Sequence, residues 1–156
     1  MNRVNCLLTN KGKGVKLDMH LSRNATIKGI VVRGKQLGRT IGFPTANIAP
    51  YKLLNLQKGV YGVYVDCRGN RYIGVMNVGE RPSFDDGNHT TYEVHILDFN
   101  ENIYEEEIAV EIAFYIRQEC KFSSVSDLIQ QLKKDVHYTF TLLGGNTHID
   151  RGRLHA

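Results

Sequence analysis

The sequence predicts a mainly β protein, an antiparallel barrel or sandwich, with a single amphipathic helix near its C-terminus. Two observations lead there. From Ala25 to about Ile116, short runs rich in β-branched and aromatic residues succeed one another, with Gly, Asn and Asp between them. No helical pattern of roughly 10–15 residues separates these runs, which argues against a parallel βαβ sheet and for antiparallel pairing.

The elements follow in order. Ile27, Ile30, Val31 and Val32 make the first run, and Val60, Tyr61, Val63, Tyr64 and Val65 the next, which ends at the turn-like Cys67-Arg68-Gly69-Asn70. Tyr72–Val78, Thr90–Phe99 and Ile108–Ile116 complete the strand-like series. The helix begins after Ser124, a natural N-cap, with Asp127 three residues on in the capping-box position. Val125, Leu128, Ile129, Leu132 and Val136 recur at helical spacing, and Gly144-Gly145 is a stop signal. That apolar stripe must be buried, and the outside of the barrel is the available partner. Residues 1–24 read as a leader or linker, 25–145 as the folded domain and 146–156 as a polar tail.

Composition narrows the class. A chain of 156 residues with 42% hydrophobic and 23% charged residues is an ordinary single globular domain. No apolar run approaches the ~20 residues of a membrane span, and Met1 to Asp18 lacks the apolar core of a signal peptide. Cys6, Cys67 and Cys120 are odd in number, widely spaced and without a CxxC, which fits reduced thiols better than a disulfide framework or zinc site. The expectation is a cytoplasmic monomer. Net charge is only +4, with 20 Lys and Arg against 16 Asp and Glu, so charge alone selects no partner.

The most informative stretch runs from Gly29 to Ile48. Gly34, Gly38 and Gly42 interrupt it, with Lys35, Arg39 and Thr40 between them. Glycine lets backbone N–H groups approach an anion, and the basic residues favour phosphate. The spacing is neither GxxxxGK[ST] nor GxGxxG, so the segment by itself is equally well a hairpin turn. Pro44-Thr45-Ala46-Asn47 follows. Pro44 biases the chain toward an extended path, on which Thr45 and Asn47 share a face. A hydroxyl and an amide oxygen side by side are hard neutral ligands suited to Mg²⁺, though a simple Asx or ST turn would use the same residues.

Gly34-x-x-x-Gly38-Arg39-x-x-Gly42-Phe43-Pro44-Thr45-Ala46-Asn47 resembles the signature of the riboflavin kinase family. Further blocks occur in the family's order: Gly59-Val60-Tyr61-Gly62, the stretch Gly74 to Phe84, the stretch Thr91 to Phe99, and Tyr115 to Phe122 ahead of the helix. The resemblance covers about residues 25–140, and extends to the bacterial kinase module that is usually fused behind an FMN adenylyltransferase domain. It implies a six-stranded antiparallel Greek-key barrel with the C-terminal helix packed outside. It also implies transfer of the γ-phosphate of ATP to the 5′-hydroxyl of riboflavin, giving FMN and ADP, with Mg²⁺ as cofactor.

The resemblance assigns roles by position. Thr45 and Asn47 become the metal ligands, and Gly34, Lys35, Gly38, Arg39, Thr40 and Gly42 the flap over the phosphates. Glu93 becomes the general base, and Arg117 and Phe122 belong to a segment near the flavin. Glu93 has a further argument in its favour. On an extended strand it shares a face with His95, Leu97 and Phe99, where desolvation would raise its pKa. His95 itself is expected to be a packed core residue. Three positions depart from the family pattern: Arg33 for a usual His, Glu80 for a usual Thr and Glu105 for a usual Gly. The last is costly if the backbone there has φ > 0.

Two other readings compete. A flavin-sensing regulatory module would keep the barrel and contact RNA or a protein partner, using basic tail residues such as Arg151 and Arg153. A flavoprotein holding FMN as a cofactor would leave the Pro-Thr-Ala-Asn block without a purpose.

Overall fold

A computed structural model describes residues 25–83 and 87–144. The leader 1–24 with Cys6, Phe84, Gly145 and the tail with Arg151 and Arg153 lie outside the described residues. Six strands and two helices make up the rest: β1 Thr26–Val32, α1 Leu37–Thr40, β2 Ala46–Pro50, β3 Gly59–Cys67, β4 Asn70–Ser83, β5 Gly87–Ile96, β6 Glu107–Arg117 and α2 Val125–Leu143.

The strands close into a barrel in the order β1-β2-β5-β4-β3-β6, and every pairing is antiparallel. Strands β3, β4 and β5 are a meander, and β6 returns beside β3, which is the Greek-key arrangement the resemblance implied. The alternation of period two sorts the side chains cleanly. Ile27 and Val31, Tyr61, Val63 and Val65, Met76 and Val78, Tyr92 and Val94, and Val110 and Ile112 fill the interior, each at most 4% exposed. The neighbours between them face outward.

Helix α2 lies outside the barrel, as expected. Ser124 is its N-cap, and its Oγ accepts the Asp127 N–H at 3.1 Å. The helix ends at Leu143, while Gly144 keeps right-handed helical angles, so the stop does not use a glycine's left-handed freedom. Burial along α2 differs from the expectation. The fully buried side chains are Asp135, Thr139 and Leu143, whereas Val125 is 60% exposed. The C-terminal half of α2 packs on the wall, where Tyr138 meets Phe114 edge-on. Gly62 makes that possible, because a Cβ there would sit 2.3 Å from the Phe114 ring. The face from Leu128 through Leu132 to Val136, part of the predicted stripe, instead roofs a cavity.

Candidate functional site

The outer face of the barrel carries the site. Strand register places Asn47 of β2 beside Glu93 of β5, Glu93 beside Asn77 of β4, Asn77 beside Val60 of β3, and Val60 beside Arg117 of β6. One ring of outward positions thus gathers residues from five strands.

Two cavities border this wall, and only the first opens on its outer face. The first, about 290 Å³, sits near the lower edge of ordinary ligand cavities. Its walls are mostly apolar, including Phe43, Val60, Val75, Phe122, Leu128 and Leu132. The polar groups on it are few: Thr45, Asn77, Glu93, His95, Arg117 and Glu119. The second, about 430 Å³, lies at the end of the barrel and includes Arg33, Arg39, Phe99, Asn100, Asn102 and Tyr104 in its lining. Thr45 lines both cavities and is the residue they share.

The glycine segment is shaped around Asn47 and Phe43. A Cβ on Gly34 would lie 2.1 Å from Asn47 Nδ2, so only a glycine leaves that amide its place. Gly38 is pressed against Phe43, whose N–H donates to the Gly38 carbonyl at 2.8 Å. Around Gly38, α1 makes a single turn, which local sequence gave no reason to expect. Thr40 Oγ1 donates back to Leu37 O at 2.7 Å, so its hydroxyl is spent inside that turn. Gly42 has φ +86, and the return toward Phe43 needs that left-handed residue.

His95 is neither a core residue nor idle. It is half-buried on the outer face, and its Nδ1–H donates to the Pro44 carbonyl at 2.8 Å. A carbonyl only accepts, so the proton sits on Nδ1 and Nε2 is left as the acceptor in the neutral ring. Phe43 packs edge-on to the same imidazole. His95 therefore pins the entry to the Pro-Thr-Ala-Asn block.

The expected apolar row beside Glu93 is shorter than the sequence suggested. Strand β5 ends at Ile96, so Leu97 and Phe99 do not continue its outer face. Phe99 packs on Tyr72, at a centroid distance of 5.0 Å. The chain turns at Asp98, φ +53, which breaks the period-two pattern.

Arg117 has a partner that sequence reading missed. Its Nε donates to both oxygens of Asp135 at 3.1 Å and its Nη2 to Oδ2 at 2.8 Å, while Gln131 Nε2 donates to Oδ1 at 2.9 Å. The guanidinium also lies over Phe122, 5.8 Å from the ring centroid. Asp135 sits between the stripe positions Leu132 and Val136, and a charged residue so close to an apolar stripe was the available signal. Glu119 was also missed. Its Oε1 accepts from Asn77 Nδ2 at 3.1 Å, which puts a second carboxylate on the apolar cavity.

The predicted residues are therefore distributed as follows. Gly38, Thr45, Glu93, Arg117 and Phe122 line the apolar cavity, and Arg39 and Thr45 line the polar one. Gly34 and Asn47 lie against each other. Gly34, Lys35, Thr40, Gly42 and Asn47 line neither cavity. The departures also find their places. Arg33 stacks 4.6 Å from the Tyr104 centroid, Glu80 pairs with Lys58, and Glu105 does have a positive φ of +67.

Thr45 and Asn47 offer neutral oxygens of the chemical kind that a hard divalent cation accepts. The amide of Asn47 occupies a cradle that a Gly34 side chain would fill, outside the lining of both cavities, and Thr45 is the residue the cavities share. Among the described residues no cluster of three or more His, Cys, Asp or Glu could hold a metal. Neutral oxygens of this kind leave most coordination positions to phosphate and water, the habit of Mg²⁺.

The sequence family model described as Flavokinase, riboflavin kinase, matches residues 21–143. The bifunctional riboflavin kinase/FMN adenylyltransferase of Buchnera aphidicola is 42% identical over 134 residues, covering 84% of this chain and 42% of that protein. The RNA-binding riboflavin kinase RibR of Bacillus subtilis is 44% identical over 110 residues, covering 70% of this chain and 47% of its own length. The chain thus spans less than half the length of these relatives. A solved riboflavin kinase from Trypanosoma brucei superposes with a TM-score of 0.52 at 26% identity, covering 76% of this chain and 79% of that one. A Streptococcus pneumoniae structure titled as a macrolide-efflux protein superposes at 0.70 with 39% identity, covering 74% of this chain and 38% of that one.

Proposed function

The chain belongs to the riboflavin kinase family, and from that premise we propose that it transfers the γ-phosphate of ATP to the 5′-hydroxyl of riboflavin, giving FMN and ADP. One observation carries the reading: an apolar cavity holding Glu93 and a polar cavity holding Arg39 share a single residue, Thr45. A flat aromatic acceptor suits the first and a polyphosphate donor the second. The transferred group then crosses at Thr45.

The residues divide the work. The apolar walls and Phe122 hold the isoalloxazine and exclude water from its edge. Glu93 takes the 5′-hydroxyl proton as the oxygen attacks the γ-phosphorus, and ADP departs with the electrons of the broken P–O bond. Thr45 and Asn47 would hold Mg²⁺, which would supply positive charge to the phosphates. Arg39 adds a fixed positive charge on the donor side, and His95 keeps Pro44 and hence Thr45 in place. Arg117 acts through Asp135, setting the roof of the cavity.

Incubating the purified chain with riboflavin, ATP and Mg²⁺ is expected to yield FMN and no FAD. Glu93→Gln should lower kcat at least ~10²-fold, because the acceptor proton then has no base. Full turnover by that variant would remove the base assignment, and no FMN from the parent chain would remove the kinase reading.

RNA contact by the same chain is a second reading, favoured by the name of the Bacillus subtilis relative. It predicts RNA retention that weakens steeply with salt, since phosphate contacts release counterions. Absence of retention at low salt would exclude it.

A further inference from the structure

We propose that Arg68 is a positioning residue for the polar cavity, acting through the loop that joins β5 to β6. The inference rests on reading that cavity as the ATP site. Phe99, Asn100, Glu101, Asn102, Ile103 and Tyr104 all come from this one loop and make up much of the cavity wall. The loop's path is not one the backbone prefers. Asp98 at φ +53 and Glu105 at φ +67 are both left-handed residues with a Cβ, and such conformations persist only where the surroundings impose them.

Arg68 reaches that loop from another element. It stands in the tight β3–β4 hairpin, where Cys67 pairs with Asn70 and the two residues between them have φ +51 and +75. This is the two-residue turn whose twist suits a hairpin, and it fixes the direction in which the arginine leaves the barrel. The guanidinium grips the loop at two places. At the far end Nε donates to Glu106 Oε2 at 2.8 Å, and Nη2 donates to Glu106 Oε1, a bidentate fork. Nearer the cavity Nη2 donates to the Asn102 carbonyl at 2.9 Å, and Nη1 pairs with Glu101 Oε2.

A single exposed ion pair would deserve little weight. This one is bidentate, reaches three residues and includes a backbone carbonyl, the circumstances in which a surface pair does matter. The hydrogen bond from Arg68 holds the Glu106 carboxyl below its ordinary value, so the grip outlasts that of an unpaired carboxylate as pH falls. Arg68 is absent from the lining of both cavities, so its effect must pass through the loop. Lysine cannot reproduce the fork, because its ammonium is a point charge.

The test is steady-state kinetics of FMN formation by the full chain, with equilibrium titration by ADP alongside. R68A should raise the KM for ATP and the Kd for ADP about five-fold or more, with kcat and the KM for riboflavin within about two-fold. R68K should fall between parent and R68A. E106Q should weaken ATP in the same sense, and the double variant R68A/E106Q should be no worse than the poorer single one. Should R68A fail to fold, E106Q alone carries the test. An unchanged KM for ATP overturns the proposal, and so does an equal loss in kcat and both KM values. A parent chain that makes no FMN yet binds ADP in an Arg68-dependent way removes the kinase reading and keeps the latch. A chain that does neither removes both.

Discussion

Glu105 shows how one dihedral angle turns a sequence oddity into an energy. Its φ of +67 lies where a Cβ crowds the backbone, at a cost of about 1–2 kcal/mol. The position is held because its N–H donates to Val31 O at 2.9 Å, tying the loop to β1. Glu105→Gly would relieve the strain but release about 0.5–1 kcal/mol of extra chain entropy on unfolding. The balance favours glycine by roughly 0.5–1 kcal/mol, which is about 2 °C in Tm for a domain of this size. Thermal melts should show the rise, and an unchanged or lower Tm would mean that the glutamate's own contacts outweigh the strain. The sequence marked this residue as unusual, but only the backbone angle gives the sign of the substitution. His95 teaches the opposite lesson. A lone histidine on a strand looks like packing, and its bond to Pro44 depends on a residue 51 positions away.

Among the elements, α2 is held to the barrel by few polar contacts, and the Arg117–Asp135 pair is the most buried of them. The side chains are 11% and 1% exposed. Removing one partner of such a pair leaves the other charge buried, a loss of about 3–5 kcal/mol. Asp135→Ala should therefore lower the urea midpoint markedly, by the equivalent of those 3–5 kcal/mol. A change below about 1 kcal/mol would show that the pair is solvated in practice. The amphipathic period of α2 and its Ser124 cap were legible because both are local. That the stripe would roof a cavity was not, since periodicity identifies an apolar face without saying how closely the neighbour approaches. Strand β2 is similar. Its five residues bury only Ile48, too few to announce a strand, and pairing with β1 on one side and β5 on the other makes it one.

At the scale of the molecule, closure of the barrel buries groups whose ionisation would oppose folding. Burial is the main cause that pushes Tyr61 and Cys67 above their ordinary values. A raised acidic group favours the fold in its neutral form. Its contribution is whole below the ordinary value, about 8.5 for a thiol and 10 for a phenol, and is lost as pH rises through the raised folded value. Tm should hold steady from about pH 7 to 8 and decline across about pH 9 to 11. A flat profile to pH 11 would show that these groups ionise in place without cost.

The sequence by itself determined the strand periods, the position of the C-terminal helix, the glycine segment and the family-specific blocks, because each is a pattern within neighbouring residues. The tertiary structure decided which residues of different strands meet. Period two says which face a residue takes but not the register between strands, and a slip of one position would turn every side chain to the other face. Closure in the order β1-β2-β5-β4-β3-β6 sets Asn47, Glu93 and Asn77 side by side. The packing of α1 and α2 over that wall then leaves Thr45 as the residue common to both cavities.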